Sequence, residues 1–300
     1  MQSDDDLDRL AELGDDEKAL LVKRKATCPF IGSAVDQGQL PVRNSAEDPL
    51  ARIEDVRRLG NTGGGDLGDL LVLFARGNHA FMRGDSGELD KSVPEGLFSL
   101  ELPGSQGSHP GHSGILQGDP KILGSGRLSM ADFERLTSRA KEGWVKRSDV
   151  GRFIAENLIK DPASKVFGEK TAVLLASDLF KFVETTGSAL LSKFFGAAEG
   201  RETTLREIEE KLTKLAGEDN LVGSAGEFGL LFAFLAKRTG AREVEGEPAV
   251  AVEDLRDMFV NKRLPVGWEG WKKSRIDWVT NTTALLISAG KEYLALRRAQ

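Results

Sequence analysis

The chain has 300 residues, 40% of them hydrophobic and 29% charged, a balance that belongs to a folded globular protein and excludes disorder along the whole length. No apolar run approaches the roughly 20 residues that span a bilayer, and the opening MQSDDDLDRL has neither the basic nor the apolar region of a secretory signal. The formal charge of −6 is local: residues 1–17 hold eight acids and one base, so the remainder is near neutral, and no nucleic-acid partner is expected. The single cysteine, Cys28, excludes an internal disulfide. It fits a reducing compartment, and a cytoplasmic location is the expectation.

In chain order, residues 4–24 read as an acidic helix with Ser3 as N-cap. In TCPFIGSAVDQG (residues 27–38), Pro29 suits the first turn of a short helix and Gly38 its end. LPVRN (40–44) reads as a turn, and 46–59 and 69–81 as helices separated by the breaker run GNTGGGDLGD. Sixteen of the 34 glycines and all three histidines lie between Gly60 and Gly126, so 83–127 reads as mostly loop, of the long kind that often carries function. From Ser129 on the pattern is helical, over 129–143, from Ser148, over 167–195 and 204–215, then 224–237, 252–261 and 276–298. Strand signals are sparse and no repeat is visible, so the fold class is mainly α, in one domain.

Four groups are candidates for chemistry. Cys28 stands where an N-cap would, facing free amides and the positive end of a helix dipole, which favour a thiolate. Such a sulfur can be a nucleophile, a redox sensor or a metal ligand; a small buried hydrophobe is the structural alternative. His109-Pro-Gly-His112, with Asp119, has the residue types of a zinc site on a loop, against ordinary loop histidines. Glu227 is the only acid in the apolar segment GEFGLLFAFLAK. It reads either as a dipole partner at a helix start or, facing a pocket, as a general acid–base. Lys262-Arg-Leu-Pro265-Val-Gly267-Trp268 ends a short helix and anchors a turn.

The order of these pieces resembles the haem-thiolate peroxidases, the family of fungal chloroperoxidase and the unspecific peroxygenases. The motifs are Cys28-Pro29 with Gly38-x-Leu-Pro-x-x-Asn44, His112 followed by Gln117-Gly118-Asp119, and Arg127-Leu-Ser-Met-Ala-Asp-Phe133-Glu134-Arg-Leu136. They continue with Gly226-Glu227 and Phe259-Val-Asn-Lys-Arg263-Leu264-Pro265 … Gly267-Trp268. The resemblance covers residues 26–273. It implies a helical domain (26–300, after an acidic N-terminal segment 1–25) enclosing haem b, with long Gly-rich loops. Cys28 would be the axial thiolate, with Pro29 beside it, and Glu227 would move the proton of hydrogen peroxide. Phe81 and Leu230 would line the pocket for a small organic substrate or halide. In the family an acidic motif binds magnesium at a haem propionate. Here its Glu is Gln117 and a following hydroxyl is Lys121, so no magnesium is expected, and Lys121 would pair with the propionate or Asp119. The charged helper of the distal Glu also differs, with Asn220 and Gly118 at the corresponding places. The competing readings are a non-catalytic helical interaction protein, a haem-thiolate protein with altered peroxide chemistry, and a zinc hydrolase on His109 and His112.

Overall fold

The structure is a computed structural model that describes residues 12–24, 28–44, 49–81, 97–103, 116–117, 127–161, 164–166 and 219–300. Helix accounts for 64% of them, and small antiparallel sheets accompany it. The expected helices at 167–195 and 204–215 lie outside the described residues.

Helix α1 is Asp15–Arg24. The expected helix over 4–24 is interrupted at 12–14, where Leu13 N–H donates to Val42 O at 3.0 Å and Glu12 bridges to Arg43; residues 4–11 lie outside the described residues. Leu13 and Leu21 are buried, so this acidic segment rests on the core. Helix α2, Pro29–Asp36, has Cys28 as its N-cap and Pro29 in its first turn. It ends at Gly38, whose φ of 68° lets Gly38 and Gln39 donate back to Val35 and Ala34. Phe30 through Val35 are all buried. A helix buried on every side must be closed in by other elements.

Residues 43–44, expected in a turn, form strand β1. The expected helix over 46–59 splits into strand β2, Pro49–Arg52, and helix α3, Ile53–Gly60. Helix α4 is Gly68–Asn78 and strand β3 is His79–Phe81, where a continuous helix was expected. Strand β4, Leu97–Pro103, completes a four-stranded antiparallel sheet of order β1-β2-β4-β3. Its register pairs Leu50 with Ser99 and Phe81 with Phe98. Of the stretch 83–127, expected to be mostly loop, the described residues are strand, and the rest lies outside the described residues. Strands β5, Leu116–Gln117, and β6, Arg127–Leu128, pair antiparallel.

The glycines at 60–68 are packing devices. A Cβ on Gly63 would stand 2.4 Å from Trp271 O. Asp66 N–H donates to Lys273 O, and Asp66 Oδ1 accepts from Arg275 N–H. This segment is bolted to residues 268–275.

Helix α5, Met130–Thr137, is capped by Ser129. Strand β7, Trp144–Lys146, leads into helix α6, Arg147–Lys160. Helix α7, Asn220–Leu235, is capped by Asp219, whose carboxylate accepts from Leu221 and Val222 amides. Strands β8, Glu243–Val244, and β9, Glu247–Ala251, extend β7 into a three-stranded sheet. Helix α8, Val252–Arg256, runs on into a π-helical turn, Asp257–Asn261, and α9, Arg275–Ala299, closes the chain from its Ser274 cap. The core is built where α6 and α7 pack on α9. Both crossings are close because each uses a glycine: a Cβ on Gly229 would lie 2.0 Å from Thr282 Oγ1, and one on Gly151 1.8 Å from Ser288 Oγ. Among the described residues no helix is long and apolar enough to cross a membrane.

Candidate functional site

Four elements enclose a pocket, concave and largely apolar as small-molecule and cofactor sites are. The first turn of α2 supplies Cys28, Pro29, Phe30 and Ile31, and α4 supplies Leu71 and Ala75. The face of α7 from Glu227 to Phe234 and the π turn, through Met258 and Phe259, close it. Among the described residues the lining is apolar except for the thiol of Cys28 and the carboxylate of Glu227. Two residues 199 positions apart by the numbering are thus brought to one cavity.

Cys28 is partly exposed, toward this pocket. Its depth in the fold pushes the thiol up from its ordinary value, the largest influence on it. The amides of Ile31 and Phe30 act in the opposite direction, though neither closes a hydrogen bond of capping geometry. Glu227 disfavours the thiolate and Lys262 favours it, each through its charge. The expected thiolate-stabilising groups are therefore present, but burial outweighs them.

Glu227 does not start its helix. Asp219 begins the helix a full two turns earlier, so Glu227 sits at mid-helix, where the dipole gives it no special support. It is half-buried and lines the pocket. The backbone there is fixed by Trp278, whose indole Nε1–H donates to Gly226 O at 3.0 Å.

The wall behind Cys28 is an aromatic cluster. The Phe30 ring lies 5.0 Å from Phe234 and 5.9 Å, edge-on, from Trp268. Lys273, 0% exposed, stands behind it. Its Nζ donates to Trp268 O at 2.7 Å, Trp271 O at 2.9 Å and Thr62 Oγ1 at 2.8 Å, and lies 4.9 Å from the Trp268 ring centre. Burial pushes this ammonium down to about 8, against the charge of Glu269.

Leu230 lines the pocket as expected. Phe81 is placed in strand β3 and Gln117 in β5; their side chains are outside the described residues, as are Asp119, Lys121, His109 and His112. Asn220 opens α7, and its Oδ1 accepts from Lys165 N–H at 2.7 Å. Among the described residues no three His, Cys, Asp or Glu side chains gather as a metal-ligand cluster. Lys273, Trp278 and Lys262 escape sequence reasoning as site-shaping residues; Lys262 alone carried a signal, lying in the run that resembles the family's Glu-Arg-Leu-Pro. No protein-family model, curated protein or solved structure matches the chain.

Proposed function

We propose that the pocket holds a haem with Cys28 as axial thiolate, and that the protein is an oxidoreductase acting on a small organic substrate or halide with hydrogen peroxide. One observation carries the reading: among the described residues an apolar cavity is polar at two points, an N-cap cysteine and a mid-helix glutamate from distant parts of the chain. The residues fit such a group. A porphyrin needs apolar walls, which α4, α7 and the π turn provide. Its iron needs one soft donor, and a bound metal deprotonates a coordinating thiol outright, overcoming the burial that keeps Cys28 protonated.

When bound, a thiolate-ligated haem supplies an iron whose electron-rich ligand favours O–O cleavage. Cys28 supplies that ligand, and the Phe30 and Ile31 amides bear on its charge and tune it. Glu227 would be the group that takes up and returns the proton of hydrogen peroxide. A carboxylate on this wall suits that task, because no other carboxylate or imidazole among the described lining residues competes for the proton. Leu230, Leu231 and Phe234 exclude water and present an apolar surface to the substrate.

The test is an absorption spectrum after haem addition. The reduced protein with CO is expected to show the red-shifted Soret band of thiolate ligation. Cys28→Ala should lose that shift, while Glu227→Gln should keep it and lose peroxide turnover. A wild-type protein that takes up no haem refutes the proposal.

A further inference from the structure

The chain has four methionines, two of them among the described residues. Met130 opens α5 and is 38% exposed. Met258 belongs to the π turn, is 5% exposed, and lines the pocket together with Cys28 and Glu227. Bulk solvent reaches Met130 far more readily, whereas Met258 faces the space in which the proposed chemistry takes place. Cys28, Glu227 and Leu230 on the same lining are partly exposed, so a molecule as small as hydrogen peroxide can enter. A thioether is oxidised by peroxide to a sulfoxide, which turns a flexible apolar side chain into a polar one.

Resting on the haem reading, we propose that Met258 is an oxidation site through which peroxide turnover in this cavity shuts the site down. The oxygen atom passes from hydrogen peroxide to the Met258 sulfur. The O–O bond breaks, an S–O bond forms, and the second oxygen leaves as water with both protons. Sulfur is oxidised by two electrons and the peroxide is reduced. The described lining offers the new sulfoxide oxygen no side-chain hydrogen-bond donor besides the two groups the chemistry uses, Cys28 and Glu227. An unpaired polar group on an apolar wall is costly, so the oxidised cavity holds an apolar ligand less well. Methionine sulfoxide reductases reverse the change, which makes the oxidation a switch and not a terminal lesion.

The test treats the full chain, haem-free and haem-loaded, with limited hydrogen peroxide, and reads each methionine by peptide mass spectrometry, which needs no variant. In the haem-free chain Met130 should gain oxygen first, following exposure. In the loaded chain Met258 should overtake it, because the oxidant is then used inside the cavity. Haem release to apomyoglobin is compared before and after oxidation in wild type and in Met258→Leu, whose side chain has a similar volume and no sulfur, after circular dichroism confirms that the variant folds. Oxidation should speed release about tenfold in wild type, the scale of one unpaired polar group, and leave Met258→Leu at its own starting rate. Met130 leading in both states, Met258 leading equally with and without haem, or release that oxidation speeds in neither protein or in both alike overturns this inference and leaves the haem reading standing. A wild-type protein that takes up no haem overturns both.

Discussion

Replacing Lys273 by methionine tests how the wall behind Cys28 is held. Methionine keeps most of the volume and removes the charge. Of the three close acceptors, Trp268 O also receives Trp271 N–H, and Thr62 Oγ1 also donates to Leu59 O. Among the described residues only Trp271 O loses its sole hydrogen bond. One orphaned carbonyl costs ~1–3 kcal/mol, and losing the cation from the Trp268 face adds ~0.5–1. Against this, the ammonium no longer has to be desolvated. The net expectation for Lys273→Met is a loss of about 2 kcal/mol, read as a lower urea midpoint at unchanged slope. The pH dependence gives a second readout. Lys273 sits at about 8 in the fold and near 10.4 in the unfolded chain. Between these values the unfolded state binds more protons, so wild-type stability should rise relative to Lys273→Met as pH increases from 8 to 10. A methionine variant as stable as wild type, with a parallel pH profile, would refute the role given to this cation.

Three further expectations follow from the packing and the buried charges. Gly229→Ala forces a methyl group against Thr282, including its backbone at 2.9 Å, and should cost about 1–3 kcal/mol by overpacking, checked by urea unfolding. Trp278→Phe deletes the hydrogen bond to Gly226 O and should cost ~1 kcal/mol; under the haem reading it should also slow peroxide turnover by displacing Glu227, while haem affinity stays unchanged. Asp254 is 3% exposed and is bound by Arg238 at 3.1 Å, yet burial pushes it up to about 6. Its native form therefore holds a proton that the unfolded chain releases near 4, so this group makes stability fall as pH rises from 4 to 6. Asp254→Asn should flatten that slope in thermal melts across the same range.

How far the site was legible varies by residue. The N-cap position of Cys28 was readable because proline at the start and glycine at the end of α2 are local signals, independent of tertiary contacts. Glu227 was readable as a residue and misplaced along its helix. The apolar run drew attention to residues 226–237, whereas Asp219 and Asn220 start the helix earlier with a cap that ordinary loop acids also resemble. The sheet was missed for a different reason. In two of the sheets the pairings join distant segments, Leu50 with Ser99 and Trp144 with Ala251; β8 and β9, by contrast, meet across the two-residue turn Glu245-Gly246, both at positive φ, a hairpin signal that was overlooked. Lys273 was opaque as a positioned group because a lysine in a polar stretch is ordinarily solvated. Only the cage of Trp268, Trp271 and Thr62 makes it otherwise.

The π-helical turn at Asp257–Asn261 has a consequence for the length of the chain. A π turn accommodates one residue more than the α-helix that would span the same gap. Deleting a single residue within 260–261 would let α8 continue in regular α register. It would turn the residues that follow the π turn by roughly 100° relative to α8, displacing the chain that closes the cavity beside Met258 and Phe259. The site therefore depends on a one-residue surplus as well as on side-chain identity. In this segment a deletion should be far more damaging than most substitutions.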